Sequence, residues 1–296
     1  MKYILTGSIG HITKPLAQQL INAGHDVSII TSSANNVTKI EALGAKALVG
    51  SVYDTEFVNS ALDGADGVYL MIPPNPAAPN FYEAQKTVAN NYVDAVIKNG
   101  IKNIVQLSSI GAHMRRGAGP IDGLAYLEEK LGEIEGINVK MLRPSYFYYN
   151  LFSMIPLIKH ANIMGSNFNM QDEKFVLTHT NDIADAAAEA LLNLDFTGKT
   201  IQYISSDERT STEIADVLSN SINKPGTPWV EFKDEESLQG MLGAGLPQSI
   251  SESYVQMGKS IREGKIQADY WNNKPSKMGK IKLEDFALEF KAAFEA

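Results

Sequence analysis

The sequence predicts an α/β protein, with a doubly wound parallel sheet followed by a smaller, mainly helical C-terminal region. Two observations carry this. Short Val/Ile/Leu-rich runs alternate with helix-like runs through the first half, a rhythm that makes a parallel sheet with helices on both faces. The runs are nearly continuous in apolar residues, as strands are when both faces are covered. The first, Lys2-Tyr3-Ile4-Leu5-Thr6, enters Gly7-Ser8-Ile9-Gly10 and then a helix-like stretch from His11 to Ala23, closed by Gly24.

The second strand is Val27–Thr31, followed by a helix ending near Leu43-Gly44. Lys46–Val49 is the third, with Asp54–Leu62 as its helix. Gly67–Ile72 is a fourth, stopped by Pro73-Pro74, and Phe81–Lys98 is a long amphipathic helix. Ile101–Leu107 and Ile137–Leu142 are the fifth and sixth strands. After Arg143-Pro144 the rhythm changes to an aromatic-rich amphipathic segment, Tyr146–His160, and a helix at Asn181–Asn193. Lys199–Ile204 reads as a seventh strand returning to the sheet, and Thr210–Ile222 as a helix. At least three more helices follow Pro225; in Leu283–Phe294 the residues Phe286, Phe290 and Phe294 share one face.

A strand that turns on glycines into a helix is a place to bind a phosphate. The glycines permit a tight turn, and the helix start offers unpaired N–H groups and about half a positive charge. The pattern is Gly-x-x-Gly-x-x-Thr, with Thr13 where a third glycine would allow close helix–strand packing. Within its strand and helix, this marks a Rossmann-type dinucleotide site at Gly7, Ser8, Ile9, Gly10, His11 and Ile12. Residues 1–144 form the expected dinucleotide-binding domain, and residues 145–296 the expected substrate region over the carboxyl edge of the sheet.

The chain of 296 residues is 44% hydrophobic and carries a net charge of −8. It has no long basic run, which argues against direct nucleic-acid binding. No uninterrupted apolar stretch reaches membrane-spanning length, and no signal-peptide pattern opens the chain. Zero cysteines exclude disulfides and thiol chemistry. The expected compartment is the cytoplasm. The five histidines show no metal-binding spacing, so no metal site is expected.

Thr6-Gly7-Ser8-Ile9-Gly10-His11, Val49-Gly50, Ser108-Ser109, Leu142-Arg143-Pro144 with Phe147 and Asn150, and Asp182-Ile183-Ala184 together resemble the NmrA-like branch of the short-chain dehydrogenase superfamily. The resemblance spans nearly the whole chain. It implies a Rossmann-type fold and NAD(P) binding, and either a quinone-type reductase or a dinucleotide-binding regulator without catalysis. Two departures stand out. Thr13 replaces the family's third glycine and could hold the first helix farther from its strand, and Ser51 replaces the usual acid after Val49-Gly50.

A carboxylate ending the second strand would hold the ribose 2′-OH of NAD and repel a 2′-phosphate. Here the positions are Thr31, Ser32 and Ser33, with Asn35, Asn36 and Lys39 beyond. NADP(H) is therefore favoured over NAD(H), although no arginine is present to grip the phosphate bidentately. Pro73 and Ser108, at the ends of the fourth and fifth strands, are the remaining expected cofactor contacts.

For chemistry, Tyr126 and Lys130 stand four apart on a helix, where the ammonium could make the phenol a better acid or base. Ser108 or Ser109, at the end of the fifth strand, could hold the same substrate oxygen, with Ser109 taken as the catalytic one. The competing reading is an ordinary solvated helix face. Counted back from Leu142-Arg143, the family's His-x-x-x-Glu pair falls on Ala125 and Glu129, one residue before the tyrosine pair. The glycine-rich loop Gly111–Gly123 reads as either a lid or a plain loop. The aromatics Tyr146 to Tyr149 suit a flat ring.

The leading expectation is hydride transfer from NADPH to a small quinone- or carbonyl-type acceptor. The alternatives are a catalytically silent NADP(H) sensor with a regulatory protein partner, and an extended-type epimerase or isomerase. A homodimer is compatible with each.

Overall fold

The computed structural model describes all 296 residues. Its strands are β1 (Lys2–Leu5), β2 (Asp26–Thr31), β3 (Lys46–Val49), β4 (Gly67–Leu70), β5 (Asn103–Leu107), β6 (Asn138–Pro144), β7 (Tyr146–Phe147), β8 (Met164–Ser166), β9 (Phe175–Thr178), β10 (Lys199–Ile204), β11 (Asp207–Arg209) and β12 (Trp229–Glu231). Seven of them form one sheet in the order β3-β2-β1-β4-β5-β6-β10. Every pairing in it is parallel. The order reverses between β1 and β4, which opens a crevice at the carboxyl ends of those strands.

Helices α1 (Thr13–Asn22), α2 (Val37–Ala42), α3 (Thr55–Ala61), α4 (Phe81–Lys98), α5 (Asp122–Gly132), α6 (Met154–Ala161) and α7 (Thr180–Asn193) are interleaved with these strands. Side chains alternate across the sheet, as a period of two requires. Tyr3, Leu5, Ile29, Val105 and Leu142 pack under α1 and α7, against Leu16, Leu20, Ile183 and Leu191. Ile4, Ile30, Val68, Ile104 and Met141 pack under α3, α4 and α5, against Val58, Val88, Tyr92 and Leu127.

The C-terminal half adds α8 (Ser211–Ser221), α9 (Asp234–Gly243), α10 (Gln248–Arg262), α11 (Ala268–Asn272) and α12 (Leu283–Glu295). Its separate core joins Tyr148, Phe168, Phe175, Trp229, Tyr270, Phe286 and Phe290. The buried Asp182 carboxylate straps the C-terminal segment to the start of α7, accepting from Ser206 Oγ (2.7 Å), Lys280 N (2.9 Å) and Ile281 N (3.3 Å).

The expected Tyr146–His160 segment is in fact β7, a 3-10 turn over Tyr148–Ser153 and α6. The loop over Gly111–Gly123 is no loose lid. Asp122 accepts from Gly117 N (3.0 Å) and Ala118 N (2.8 Å), and Ser260 Oγ on α10 donates to Gly117 O at 2.6 Å. No helix is long and apolar enough to cross a membrane.

Candidate dinucleotide site

The turn after β1 is shaped by contacts on three sides. Gly7 has φ +95°, and a Cβ there would lie 2.6 Å from Thr13 Oγ1 and 3.1 Å from Met71 Cγ. Only glycine fits that conformation and space. Ser8, at φ 55°, is a non-glycine residue in the left-handed region, a conformation that persists only when its surroundings enforce it. They do so here. Ser8 N donates to Ile30 O at 3.1 Å, Ser8 Oγ donates to Thr31 Oγ1 at 2.9 Å, and Asn36 Nδ2 donates to Ser8 Oγ at 2.9 Å. The end of β2 thus sets the shape of the turn after β1.

Thr13 fills the space between the first helix and its strand. It is buried in the first turn of α1, and its hydroxyl donates to Thr6 O at 2.8 Å. The side chain replaces the missing glycine by bonding to the strand it packs against.

Gly10 N is satisfied by Gly7 O, and Lys14 N by Gly10 O, whereas the amides of Ile9, His11, Ile12 and Thr13 have no backbone partner. Helix α1 has no side-chain N-cap and no acid in its first turn. Its positive end is therefore uncompensated and its donors are free, the combination that suits an anion.

At the end of β2, Thr31 is buried, Ser33 half-buried and Ser32 exposed. Thr31 Oγ1 also accepts from Ser33 N at 3.3 Å. No carboxylate lies between residues 31 and 36. On the other side, Thr6 Oγ1 accepts from Met71 N at 2.7 Å and Tyr92 donates to Met71 O at 2.9 Å, fixing the exit of β4 towards half-buried Pro73. At the end of β5, Ser108 is 2% exposed and its hydroxyl has no partner. An unpartnered buried hydroxyl costs about 1–3 kcal/mol, so this one calls for a ligand or a water.

The proposed catalytic trio is not joined by hydrogen bonds. Tyr126 donates to Asn90 Oδ1 of α4 at 3.0 Å. Lys130 is bound to Glu133 at 2.8 Å, and its Nζ meets the face of the Tyr126 ring at 5.8 Å, not the hydroxyl. Ser109 is half-buried at the end of β5.

Sequence reasoning missed a buried polar cluster next to this region. Arg143, on β6, meets Glu128 of α5 through Nη2 (2.6 Å) and Nε (2.9 Å), and its Nη1 reaches Tyr203 (3.1 Å) and Asp269 (3.2 Å). Burial opposes the charge on Arg143, but Glu128 and Tyr203 together hold the guanidinium above its ordinary value. Burial pushes the nearby His113 imidazole below its ordinary value. The one available signal was Leu142-Arg143-Pro144, an arginine inside an apolar strand, which requires a buried partner. A surface cleft of about 430 Å³ runs along edge strand β3, lined by Lys2, Lys46, Val49 and Phe57, and no residue of the glycine turn borders it.

The chain matches the NmrA-like family over residues 2–285, and it belongs to that family. Among curated relatives, the Prestalk A differentiation protein A of Dictyostelium discoideum is 22% identical over 209 residues, which is 70% of this chain and 64% of that protein. An uncharacterised protein of Schizosaccharomyces pombe is 31% identical over 68 residues, 23% of each chain. The chain therefore spans less than two thirds of the length of either relative. Among solved structures, the NADPH-dependent quinone oxidoreductase of Escherichia coli in complex with NADPH superposes with a TM-score of 0.79 at 17% identity, covering 97% of this chain and 99% of that one. The triphenylmethane reductase of a Citrobacter species gives 0.79 at 17% identity, covering 98% and 100%. These likenesses establish the Rossmann-type fold.

Proposed function

We propose that this protein binds a nicotinamide dinucleotide, NADP(H) in preference to NAD(H), and passes a hydride from it to a small quinone- or carbonyl-type acceptor. The observation that carries this reading is the set of free amides at Ile9, His11, Ile12 and Thr13, facing the uncapped, acid-free start of α1. Those amides hold the diphosphate. Ser32 and Ser33, with no carboxylate beside them, face the substituted ribose. Pro73 and Ser108 border the nicotinamide end, where the bound dinucleotide supplies the hydride. Two of the similar structures support the reading, a quinone oxidoreductase with NADPH and a triphenylmethane reductase with NADP(H).

Tyr126 and Lys130 are engaged by Asn90 and Glu133. The chain's contribution is therefore orientation of dinucleotide and acceptor, with no tyrosine acid required. Aromatic Tyr146, which packs on Phe175 at 4.8 Å, supplies an apolar wall suited to a flat acceptor. The test is steady NADPH oxidation with a panel of quinones, dyes and small carbonyl compounds. Tight NADPH binding with no acceptor reduced would exclude the reductase.

The same lack of a joined tyrosine–lysine–serine trio favours, as a second reading, a dinucleotide sensor that binds a protein partner. Linkage then requires different partner affinities with NADP⁺ and NADPH. Equal affinities in both redox states would exclude it.

A further inference from the structure

His11 and Tyr149 touch across the carboxyl edge of the sheet. Their ring centroids are 4.2 Å apart with planes at 43°. His11 belongs to the turn after β1, whereas Tyr149 stands in the 3-10 turn that follows β6 and β7. Strands β5 and β4 separate β6 from β1. The chain leaving β6 has therefore arched over three strand spacings, roughly 14 Å at about 4.8 Å each. A ligand bound to a doubly wound sheet lies along that edge, so a contact that bridges the edge closes over the ligand.

Tyr149 is anchored from behind. It meets Phe152 edge-on at 5.3 Å, and Phe152 packs on Phe286 at 5.1 Å and Phe290 at 6.1 Å, both in α12. The tyrosine itself is 45% exposed. The pair thus joins the glycine turn to the C-terminal core through one solvent-facing aromatic contact.

We propose that His11 and Tyr149 form a clasp over the diphosphate, which must part for the dinucleotide to enter or leave. This rests on the dinucleotide reading given above. The contact is present before the ligand arrives, re-forms over it, and is broken only in passage. Its removal therefore changes both rate constants and leaves the equilibrium nearly untouched. An exposed aromatic contact is weak, which keeps the clasp openable.

The test is stopped-flow mixing with NADPH, followed by nucleotide fluorescence, on the wild-type protein, Tyr149→Ala and Tyr149→Phe. Tyr149→Ala is expected to raise association and dissociation rate constants together, by between about twofold and tenfold, with Kd unchanged within a factor of two. Tyr149→Phe keeps the ring and is expected to retain wild-type rates. Wild-type rates in Tyr149→Ala, or a change in only one rate constant, would overturn the clasp while leaving dinucleotide binding intact. No NADPH binding by the wild-type protein would overturn the dinucleotide reading, and the clasp with it.

Discussion

Thr13 donates its hydroxyl to the carbonyl of Thr6 across 2.8 Å, tying the first turn of α1 back to the end of β1. Thr13→Val keeps the shape and removes the bond, leaving a buried carbonyl short of a donor. The expected loss of stability is about 1–3 kcal/mol, with weaker NADPH binding because the turn loosens. Urea unfolding and NADPH titration of the variant check both effects. Unchanged stability would show that the bond does not hold the turn.

Arg143 and Glu128 are 6% and 8% exposed. Arg143→Met leaves Glu128 buried without its partner, and the expected cost is about 3–5 kcal/mol. Replacing both residues by methionine removes the stranded charge, so the double variant is expected to recover much of that loss. Equilibrium denaturation of the single and double variants measures the difference. Equal losses would show that the pair is not what holds α5 against β6.

The sheet was legible in the sequence because apolar runs from β1 to β6 alternate with helical segments, even though edge strand β3 is itself largely exposed. The phosphate turn was legible for the same reason, its glycines lying between an obvious strand and an obvious helix. What escaped was local or long-range. Strands such as β8 (Met164–Ser166) and β11 (Asp207–Arg209) have three residues each, too few for any periodicity. The partners of Arg143 lie 15, 60 and 126 residues away in sequence, and no spacing rule brings them together. Tyr126 shows the converse limit. Its spacing to Lys130 fits a catalytic pair, but only the packing of α5 on α4 reveals that its hydroxyl meets Asn90.

Tyr126→Phe is therefore expected to leave NADPH-dependent turnover within twofold of wild type. The bond it loses is solvent-exposed, so stability should fall by less than about 1 kcal/mol. Steady-state assays across pH, together with a thermal melt, check this. A large fall in kcat with a displaced pH profile would return Tyr126 to the reacting centre.

Asp207 accepts from Leu283 N (3.1 Å) at the start of α12 and pairs with Arg209 (3.0 Å). Burial alone would raise its carboxyl, but Arg209, the Leu283 amide and Lys282 together hold it below the ordinary value. A depressed carboxyl contributes stability above its unfolded value and loses it as pH falls through the folded one. Stability is therefore expected to decline below about pH 4. Asp207→Asn is expected to flatten part of that acid limb and to lower stability at neutral pH. Denaturant midpoints measured from pH 7 to pH 3 check the sign, and an identical acid limb in the variant would contradict it.

The most direct test places a charge where the diphosphate should lie. A Cβ on Gly10 meets only the Gly7 carbonyl, at 3.1 Å, so Gly10→Asp should fold while setting a carboxylate against the free amides that open α1. Isothermal titration with NADPH and NADH is expected to show binding to the wild-type protein, tighter for NADPH, and none to Gly10→Asp at a melting temperature no lower than that of the wild type. Absence of heat with either dinucleotide, or equal binding by the folded variant, would contradict the assignment of this turn as the dinucleotide site.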